Sequence, residues 1–288
     1  MQADSLGMAP YTTSDSGQRW RRPILRQFRV HPLLATKDAV RARAWYADKL
    51  GIEPVFEREG QLAYSLPPTI FTVYETPFAG TAQNTVAVWA VDDLRGEMAR
   101  LRARGLTFEE LDYGPDDRTV DGMMTSQVGS GEVLNAWFKD VDGNWISFVQ
   151  APPEPGEVPP EPGIHPMLAA SDMERARAWY AEKLGLEPDR DYDGELLVYQ
   201  SGQTHLSIYA TPSAGTARNT VAEWHVDDLR AEVAALRARG VVFEEYDFGN
   251  SRTVDGIMTD SDGSLNAWFT DSEGSILGLV EGQGDHMT

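Results

Sequence analysis

One short segment of the chain places its apolar residues on a single helical face. Asp38 is a suitable N-cap, and Gly51 is a typical C-terminal stop. Between them the apolar positions recur at three- and four-residue intervals: Ala42, Trp45, Tyr46 and Leu50. The spacing predicts a helix from Asp38 to Leu50 that packs on a sheet.

Short runs of strand-forming residues surround this helix. They lie at His31–Thr36, Val55–Glu59, Leu62–Leu66 and Ile70–Tyr74. The order predicted is one strand, one helix and three strands.

A second unit of the same order follows. A strand is predicted at Val86–Val91, and a helix starts at Asp92 or Asp93, ends before Gly105 and buries Leu94, Met98 and Leu101. Further strands are predicted near Leu106–Glu110, Leu134–Lys139 and Asn144–Val149.

The whole pattern occurs twice. The segment "DAVRARAWYADKLGI" at residues 38–52 returns as "DMERARAWYAEKLGL" at 172–186, and "LNAWFKDVDGN" returns as "LNAWFTDSEGS". Two copies of a unit of about 120 residues are therefore predicted. We assign an N-terminal arm at 1–27, expected to be flexible, copies at 28–150 and 163–282, a Pro/Glu-rich linker at 151–162 and a tail at 283–288.

The ordered set of an opening strand His, "D…RA..WY..KLG", "VDDL" and "WF.D.DGN" resembles the vicinal-oxygen-chelate superfamily. That group includes glyoxalase I, bleomycin-resistance proteins and extradiol dioxygenases. The resemblance implies an α+β fold of two tandem glyoxalase-like domains, with four βαβββ modules whose mixed sheets curl into ligand-holding cups. Modules could pair within a copy or across copies, and the sequence leaves this open.

Enzymes of this superfamily hold a divalent metal with His and Glu side chains from the cup strands. His31 and His165 occupy the first ligand position of that pattern. The remaining positions that can be matched hold residues without a suitable donor: Val86, Val221, Ser147 and Gly278. We therefore expect no metal and no other cofactor.

The turn "DVDGN" at Asp140–Asn144 sets the register of the hairpin that contains it. Lys139 should pair with Trp145, and Trp137 with Ser147. This register directs Asn135, Trp137 and Trp145 toward the cup, and places Phe138, Ile146 and Phe148 under the helices.

The same alternation in the second copy brings ionisable residues toward a cup. Glu223 and His225 share a face with Val221, while Trp224 faces the helices, and His205 shares a face with Tyr209. The full set of predicted ligand-binding residues is His31, Tyr74, Asn135, Trp137, Trp145, His165, His205, Tyr209, Glu223, His225, Asn266 and Trp268.

Two interpretations of His165, His205, Glu223 and His225 stay open. They could share one cavity in the second copy as a displaced metal site, or they could be hydrogen-bonding groups of a polar ligand pocket. In the repeated motif "RTVDG", we expect an ion pair within the loop, between Arg118 and Asp121 and again between Arg252 and Asp255. The alternative is that the Arg of this motif binds a substrate.

Composition narrows the function classes. The formal net charge of −20 disfavours binding to nucleic acid, and the absence of cysteine excludes disulfides, thiolate metal sites and a cysteine nucleophile. No signal peptide and no apolar run of membrane-spanning length are recognised, so a cytoplasmic protein that does not bind membranes is expected.

The sequence favours a metal-independent protein that binds a small, aromatic organic ligand, in the manner of bleomycin-resistance proteins, and so sequesters a natural product or antibiotic. The alternatives are an enzyme (a lyase, isomerase or dioxygenase) with a displaced metal or with cofactor-free acid/base chemistry, and a scaffold whose cups are filled. A monomer with an internal pseudo-dimer, or a homodimer, is expected.

Overall fold

The computed structural model describes residues 25–58, 60–66, 69–112, 114, 118–128, 131–151, 163–249 and 251–282. Most of the predicted arm, nearly all of the linker and the tail lie outside these residues. The α-helices are α1 (Ala39–Trp45), α2 (Leu94–Ala103), α3 (Met173–Trp179) and α4 (Leu229–Ala238); α1 and α3 continue into π-helical turns at Tyr46–Leu50 and Tyr180–Leu184.

The strands of the first copy are β1 (Val30–Thr36), β2 (Phe56–Arg58), β3 (Gln61–Leu66), β4 (Thr69–Glu75), β5 (Thr85–Ala90), β6 (Met123–Val128), β7 (Gly131–Lys139) and β8 (Trp145–Gln150). Those of the second copy are β9 (Gly163–Ala170), β10 (Arg190–Tyr192), β11 (Leu196–Ser201), β12 (Thr204–Ala210), β13 (Thr220–His225), β14 (Thr253–Val254), β15 (Ile257–Thr259), β16 (Leu265–Thr270) and β17 (Ile276–Glu281). The α+β class and the paired glyoxalase-like architecture are confirmed.

The helix ends follow the predicted capping chemistry. The Asp38 carboxylate accepts a hydrogen bond from the Arg41 backbone N–H, and Gly51 ends the π-helical turn at a φ of +74°. Asp93 caps α2 in the same way through the backbone N–H of Gly96. These short-range signals are repeated at Asp172 and Asp228 in the second copy.

The modules pair across the two copies, which answers the question that the sequence left open. A nine-stranded sheet has the order β14-β15-β16-β17-β13-β1-β4-β3-β2, and an eight-stranded sheet has the order β10-β11-β12-β9-β5-β8-β7-β6. Strand β1 is antiparallel to β13, with His31 opposite Glu223, and β5 is antiparallel to β9, with Val88 opposite His165. Each sheet therefore contains one module from each copy.

The predicted register of the β7–β8 hairpin is confirmed. Lys139 pairs with Trp145 and Trp137 pairs with Ser147. The opposite face forms part of the core, where the buried rings of Phe138 and Phe148 stack with centroids 5.3 Å apart. Trp224 also faces the helices as predicted and is fully buried.

One predicted strand is wrong. Residues 106–110 form no strand; the segment runs beside β7 and makes a single backbone hydrogen bond there, from Glu109 N–H to the Trp137 carbonyl. The position next to β7 in the sheet is taken by β6, which pairs with it in register from Met123 to Val128. The strand that takes this place, β6, was not predicted, because its sequence MMTSQV lacks a run of strand-forming apolar residues.

The nine-stranded sheet curls strongly enough to bring opposite sides together. The Arg58 guanidinium on the edge strand β2 forms an ion pair with Asp262 in the β15–β16 loop and donates to the Ser261 hydroxyl. In a flat sheet, strands this many places apart would be separated by roughly 30 Å. The ion pair therefore closes one side of a deep concavity.

The last residues of the predicted arm are docked. Leu25 is fully buried, and the Ser201 hydroxyl lies 3.0 and 2.8 Å from the carbonyl oxygens of Leu25 and Phe28, which share its single hydrogen. Arg26 forms an ion pair with Asp189. Residues 25–27 thus belong to the folded body, because their backbone and apolar groups are satisfied by the second copy.

Two threonines tie the sheets to each other near the start of their central strands. The Thr204 hydroxyl accepts from the Val30 N–H at 2.9 Å, and the Thr69 hydroxyl accepts from the Ile164 N–H at 2.9 Å. The reciprocal bonds give the single chain the internal arrangement of a dimer.

Candidate functional site

The first cup is the concave face of the nine-stranded sheet. Its central row runs across four hydrogen-bonded strands, from Trp268 through Gly278 and Glu223 to His31. Cross-strand partners share a face, so these four positions line one surface. The opposite face packs under the helices through Trp224 and Phe269.

His31 lies at the base of the first cup and is only 5% exposed. Its Nδ1 is 3.1 Å from the Ile70 carbonyl oxygen, which can only accept, so Nδ1 carries the hydrogen and Nε2 has an acceptor lone pair. Burial, followed by the nearby His225, lowers the pKa of His31 to about 3. The ring is therefore neutral at physiological pH.

His225 and Glu223 extend this polar base. The rings of His31 and His225 meet edge to face with centroids 4.8 Å apart. The Nε2 of His225 is 3.4 Å from the Glu223 carboxylate. The three side chains form a continuous polar strip that offers both hydrogen-bond donors and acceptors.

The wall of the first cup is an aromatic cluster that the sequence analysis did not find. Trp268 packs edge to face against Tyr246 and Phe248, with centroid distances of 5.7 and 6.4 Å. Phe248 is 60% exposed, so the cluster presents an open aromatic surface. Asn266 is on the same face, but its amide donates to Asp260.

The second cup is the concave face of the eight-stranded sheet. Its corresponding row is Trp137, Ser147, Val88 and His165. The His165 ring lies edge to face with His205 at a centroid distance of 5.4 Å. Val88 occupies the place of Glu223, so this row contains no carboxylate.

A cation–π contact distinguishes the wall of the second cup. The Lys139 ammonium lies 4.1 Å from the centroid of the Trp145 ring and 3.5 Å from the Glu109 carboxylate. Asn135 shares the face of Trp137, and its side chain has no hydrogen-bond partner among the described residues. Its amide is therefore available to a guest.

Tyr74 and Tyr209 hold modules together. The Tyr74 hydroxyl accepts from the Thr220 N–H at 2.9 Å, and the Tyr209 hydroxyl accepts from the Thr85 N–H at 2.9 Å. Burial raises the pKa of Tyr74 to about 12. Each phenol is thus part of a cup wall with its oxygen already engaged by backbone.

The interpretation in which four ionisable residues share one cavity in the second copy does not hold. His165 and His205 belong to the second cup, whereas Glu223 and His225 belong to the first. Cross-copy pairing separates them, because β9 and β12 lie in one sheet and β13 in the other. The first cup instead combines Glu223 and His225 with His31 from the other copy.

The donor sets of the cups do not fit the metal of the family's enzymes. In the first cup, two of the four row positions, Trp268 and Gly278, supply no ligand, and the Glu223 carboxylate lies 3.4 Å from Nε2 of His225. The Tyr74 oxygen is bound to backbone. The second cup offers Val88 and Ser147 at the equivalent points. Among the residues that the structure describes, no three or more His, Cys, Asp or Glu side chains are grouped to hold an ion.

Comparisons with known proteins agree with this architecture. A model of the Glyoxalase/Bleomycin resistance protein/Dioxygenase superfamily matches residues 29–148 and 164–267. No curated protein sequence matches the chain significantly.

In the described part of the chain, no helix is both long enough and apolar enough to cross a membrane.

Solved structures share the two-copy fold at low sequence identity. Glyoxalase I from Zea mays aligns with a TM-score of 0.61 and 16% identity, covering 88% of this chain and 93% of its own. A candidate dioxygenase from Bacillus subtilis aligns with a TM-score of 0.54 and 16% identity, covering 90% of this chain and 86% of its own. The repeated modules, the curled sheets and the match over both copies show that the chain belongs to the Glyoxalase/Bleomycin resistance protein/Dioxygenase superfamily.

Proposed function

We propose that the protein binds a small, flat, partly polar organic molecule in its cups and does so without a metal ion. The observation that carries the proposal is a half-buried indole, Trp268 or Trp137, placed in the same strand row as a buried histidine. An indole provides a large stacking face, and the imidazole fixes the orientation of a polar group.

The first cup has the more complete set of contacts. Trp268, Tyr246 and Phe248 supply aromatic surface on one side, and His31, His225 and Glu223 supply hydrogen-bonding groups at the base. A guest with an aromatic ring and one polar edge would satisfy both. The second cup would favour a guest that needs no carboxylate at the base, since Val88 and Ala90 replace Glu223 and His225.

Sequestration is the biological role that follows from such binding. A protein that removes an aromatic natural product or antibiotic from solution needs affinity and abundance but no turnover. The donor chemistry supports binding rather than metal catalysis, because Val88 stands beside His165 in the second cup and the described residues include no group of three or more His, Cys, Asp or Glu side chains arranged to hold an ion. Expression in a susceptible host should then raise the inhibitory concentration of the sequestered compound.

The proposal is tested by titration and elemental analysis together. Protein purified without chelators is titrated with a panel of aromatic natural products, using Trp fluorescence to find ligands and calorimetry to measure affinity. We expect saturable binding to protein that contains no stoichiometric transition metal. Binding that requires such a metal, or that disappears after chelation, would show the proposal to be wrong.

Substitution of the tryptophans in the cup walls tests whether these residues contact the ligand. We expect Trp268→Ala to weaken binding in the first cup about tenfold or more, because a stacking surface is lost. Trp137→Ala should do the same in the second cup. Trp89→Phe is the matched control, since Trp89 stacks on Phe148 on the helix side of its sheet. Equal affinity of Trp268→Ala, Trp137→Ala and the native protein would contradict the assignment of the walls.

A further inference from the structure

A groove outside both cups is lined by an excess of positive charge, which is unusual in a protein of net negative charge. It encloses about 470 Å³ between α4 and the β14–β15 hairpin, and Arg230, Arg237 and Arg252 all line it. The chain as a whole has 45 acidic residues and 25 basic ones. Three guanidinium groups against one lining carboxylate, Asp255, reverse that balance locally.

One of the three arginines is fixed by the fold. The Arg237 guanidinium donates to the Asp255 carbonyl at 2.6 Å and lies 5.6 Å from the centroid of the Phe243 ring. Asp255 accepts this bond from a left-handed backbone conformation, with a φ of +51°. The fold therefore positions Arg237 as a rigid side of the groove.

The other two arginines have guanidinium charges that no group among the described residues neutralises. Arg230 and Arg252 are exposed, and neither side chain makes a hydrogen bond or ion pair within the described residues. The ion pair expected between Arg252 and Asp255 is not formed, and the same holds for Arg118 and Asp121. The contact that the structure shows is a different one: Arg237 donates to the Asp255 backbone carbonyl, and Arg102 donates to that of Asp121.

The first copy repeats the arrangement. Its counterparts are Arg95, Arg102 and Arg118, and Arg102 donates to the Asp121 carbonyl and lies 5.4 Å from the Phe108 ring centroid. The duplicated chain thus retains the basic triad even where the two cups have diverged. An apolar residue, Val254, is 63% exposed beside the triad, and its counterpart Val120 is 66% exposed.

We propose that the groove beside α4 binds a small organic anion with a phosphate or carboxylate head and an apolar body. Arg230 and Arg252 would contact the head, because a guanidinium pairs with such groups through two parallel hydrogen bonds. Val254 and Ile257 would cover the body and remove exposed apolar surface from water. The site is separate from the cups, so it does not depend on the function proposed for them.

The test uses the full chain, phenyl phosphate as the probe and isoleucine methyl NMR at low salt. The Ile257 methyl reports on the groove, and the Ile276 methyl reports on the first cup, whose face it shares with Thr270. We expect saturable shifts at Ile257, and at least fivefold weaker binding of inorganic phosphate, which lacks the apolar body. Absence of a shift at Ile257 would overturn the proposal, and so would equal affinity for inorganic phosphate.

Charge-matched variants distinguish a specific anion site from nonspecific electrostatic attraction to the protein. Arg230→Gln with Arg252→Gln should weaken phenyl phosphate binding at Ile257 at least tenfold. Arg43→Gln with Arg177→Gln removes the same two charges from α1 and α3, away from the groove, and should change the affinity less than twofold. If the first pair binds as tightly as the native protein, or if both pairs lose binding equally, the groove is not an anion site.

Discussion

Replacing His31 by glutamine is expected to reduce the loss of stability that the native protein shows between pH 6.5 and pH 3. Native His31 stays neutral in the folded state, with a pKa of about 3, while the unfolded chain protonates it near 6.5. Below pH 6.5 the unfolded state therefore binds more protons, and stability falls as the pH falls. The full effect at the acid end is ~5 kcal/mol.

The measurement is the free energy of unfolding by urea at half-unit steps from pH 3 to pH 7.5. Glutamine keeps a donor for the Ile70 carbonyl but cannot be protonated in this range. The difference between the two stability curves should grow as the pH falls and flatten near pH 3. Parallel curves would show that His31 is not buried as a neutral ring.

Asp271 supplies a control of opposite sign. Burial raises its pKa to about 6, from an unfolded value near 3.8, so the folded state holds the proton longer. Between these values stability falls as the pH rises. Asp271→Asn should therefore make the native rise of stability with pH steeper, whereas His31→Gln should make it shallower.

Two neighbouring tyrosines are expected to respond oppositely to the same change. The Tyr46 hydroxyl donates to the buried Asp140 carboxylate at 2.9 Å. Tyr64, whose ring centroid is 5.2 Å from that of Tyr46, has a buried hydroxyl without a partner among the described residues. Tyr46→Phe should destabilise the protein by about 1–3 kcal/mol, because a buried carboxyl group loses a hydrogen-bond donor.

Tyr64→Phe should stabilise the protein by about 1 kcal/mol, because it removes a hydroxyl that is buried without compensation. The second copy repeats the pair: Tyr180 donates to Asp271 at 2.9 Å, and the Tyr199 hydroxyl lacks a partner within the described part of the chain. Four single variants, compared by urea unfolding at pH 7, thus test one argument twice. Destabilisation by Tyr64→Phe and Tyr199→Phe would mean that their hydroxyls are hydrogen-bonded, for example to water.

Features set by short stretches of chain could be predicted from the sequence. The cap at Asp38, the stop at Gly51 and the register across Asp140–Asn144 all depend on neighbouring residues, and the structure shows each of them. The repeat itself predicted that both copies would share these features. Alternation then placed Trp137 and Trp268 on the concave faces.

Features set by distant pairing could not be predicted. Strand β1 could have paired with β5 of its own copy, and only the assembled sheets show that it pairs with β13. The composition of each cup follows from that choice, including the meeting of His31 with Glu223. Tyr246 and Phe248 were missed for a related reason: they belong to an irregular segment, where alternation gives no face.

Cross-copy pairing also bears on how this chain could have arisen. A half-length ancestor would have carried one of the two modules of each cup. It would therefore have needed a second molecule to complete either cup, and the free energy of that association would have depended on its concentration. Joining the halves covalently makes that encounter intramolecular. Covalent linkage also allows the two cups to differ in sequence, because a symmetric dimer cannot change one cup without changing the other. The difference between Glu223 and Val88 across the pseudo-twofold is one that a symmetric dimer of a half-length chain could not hold.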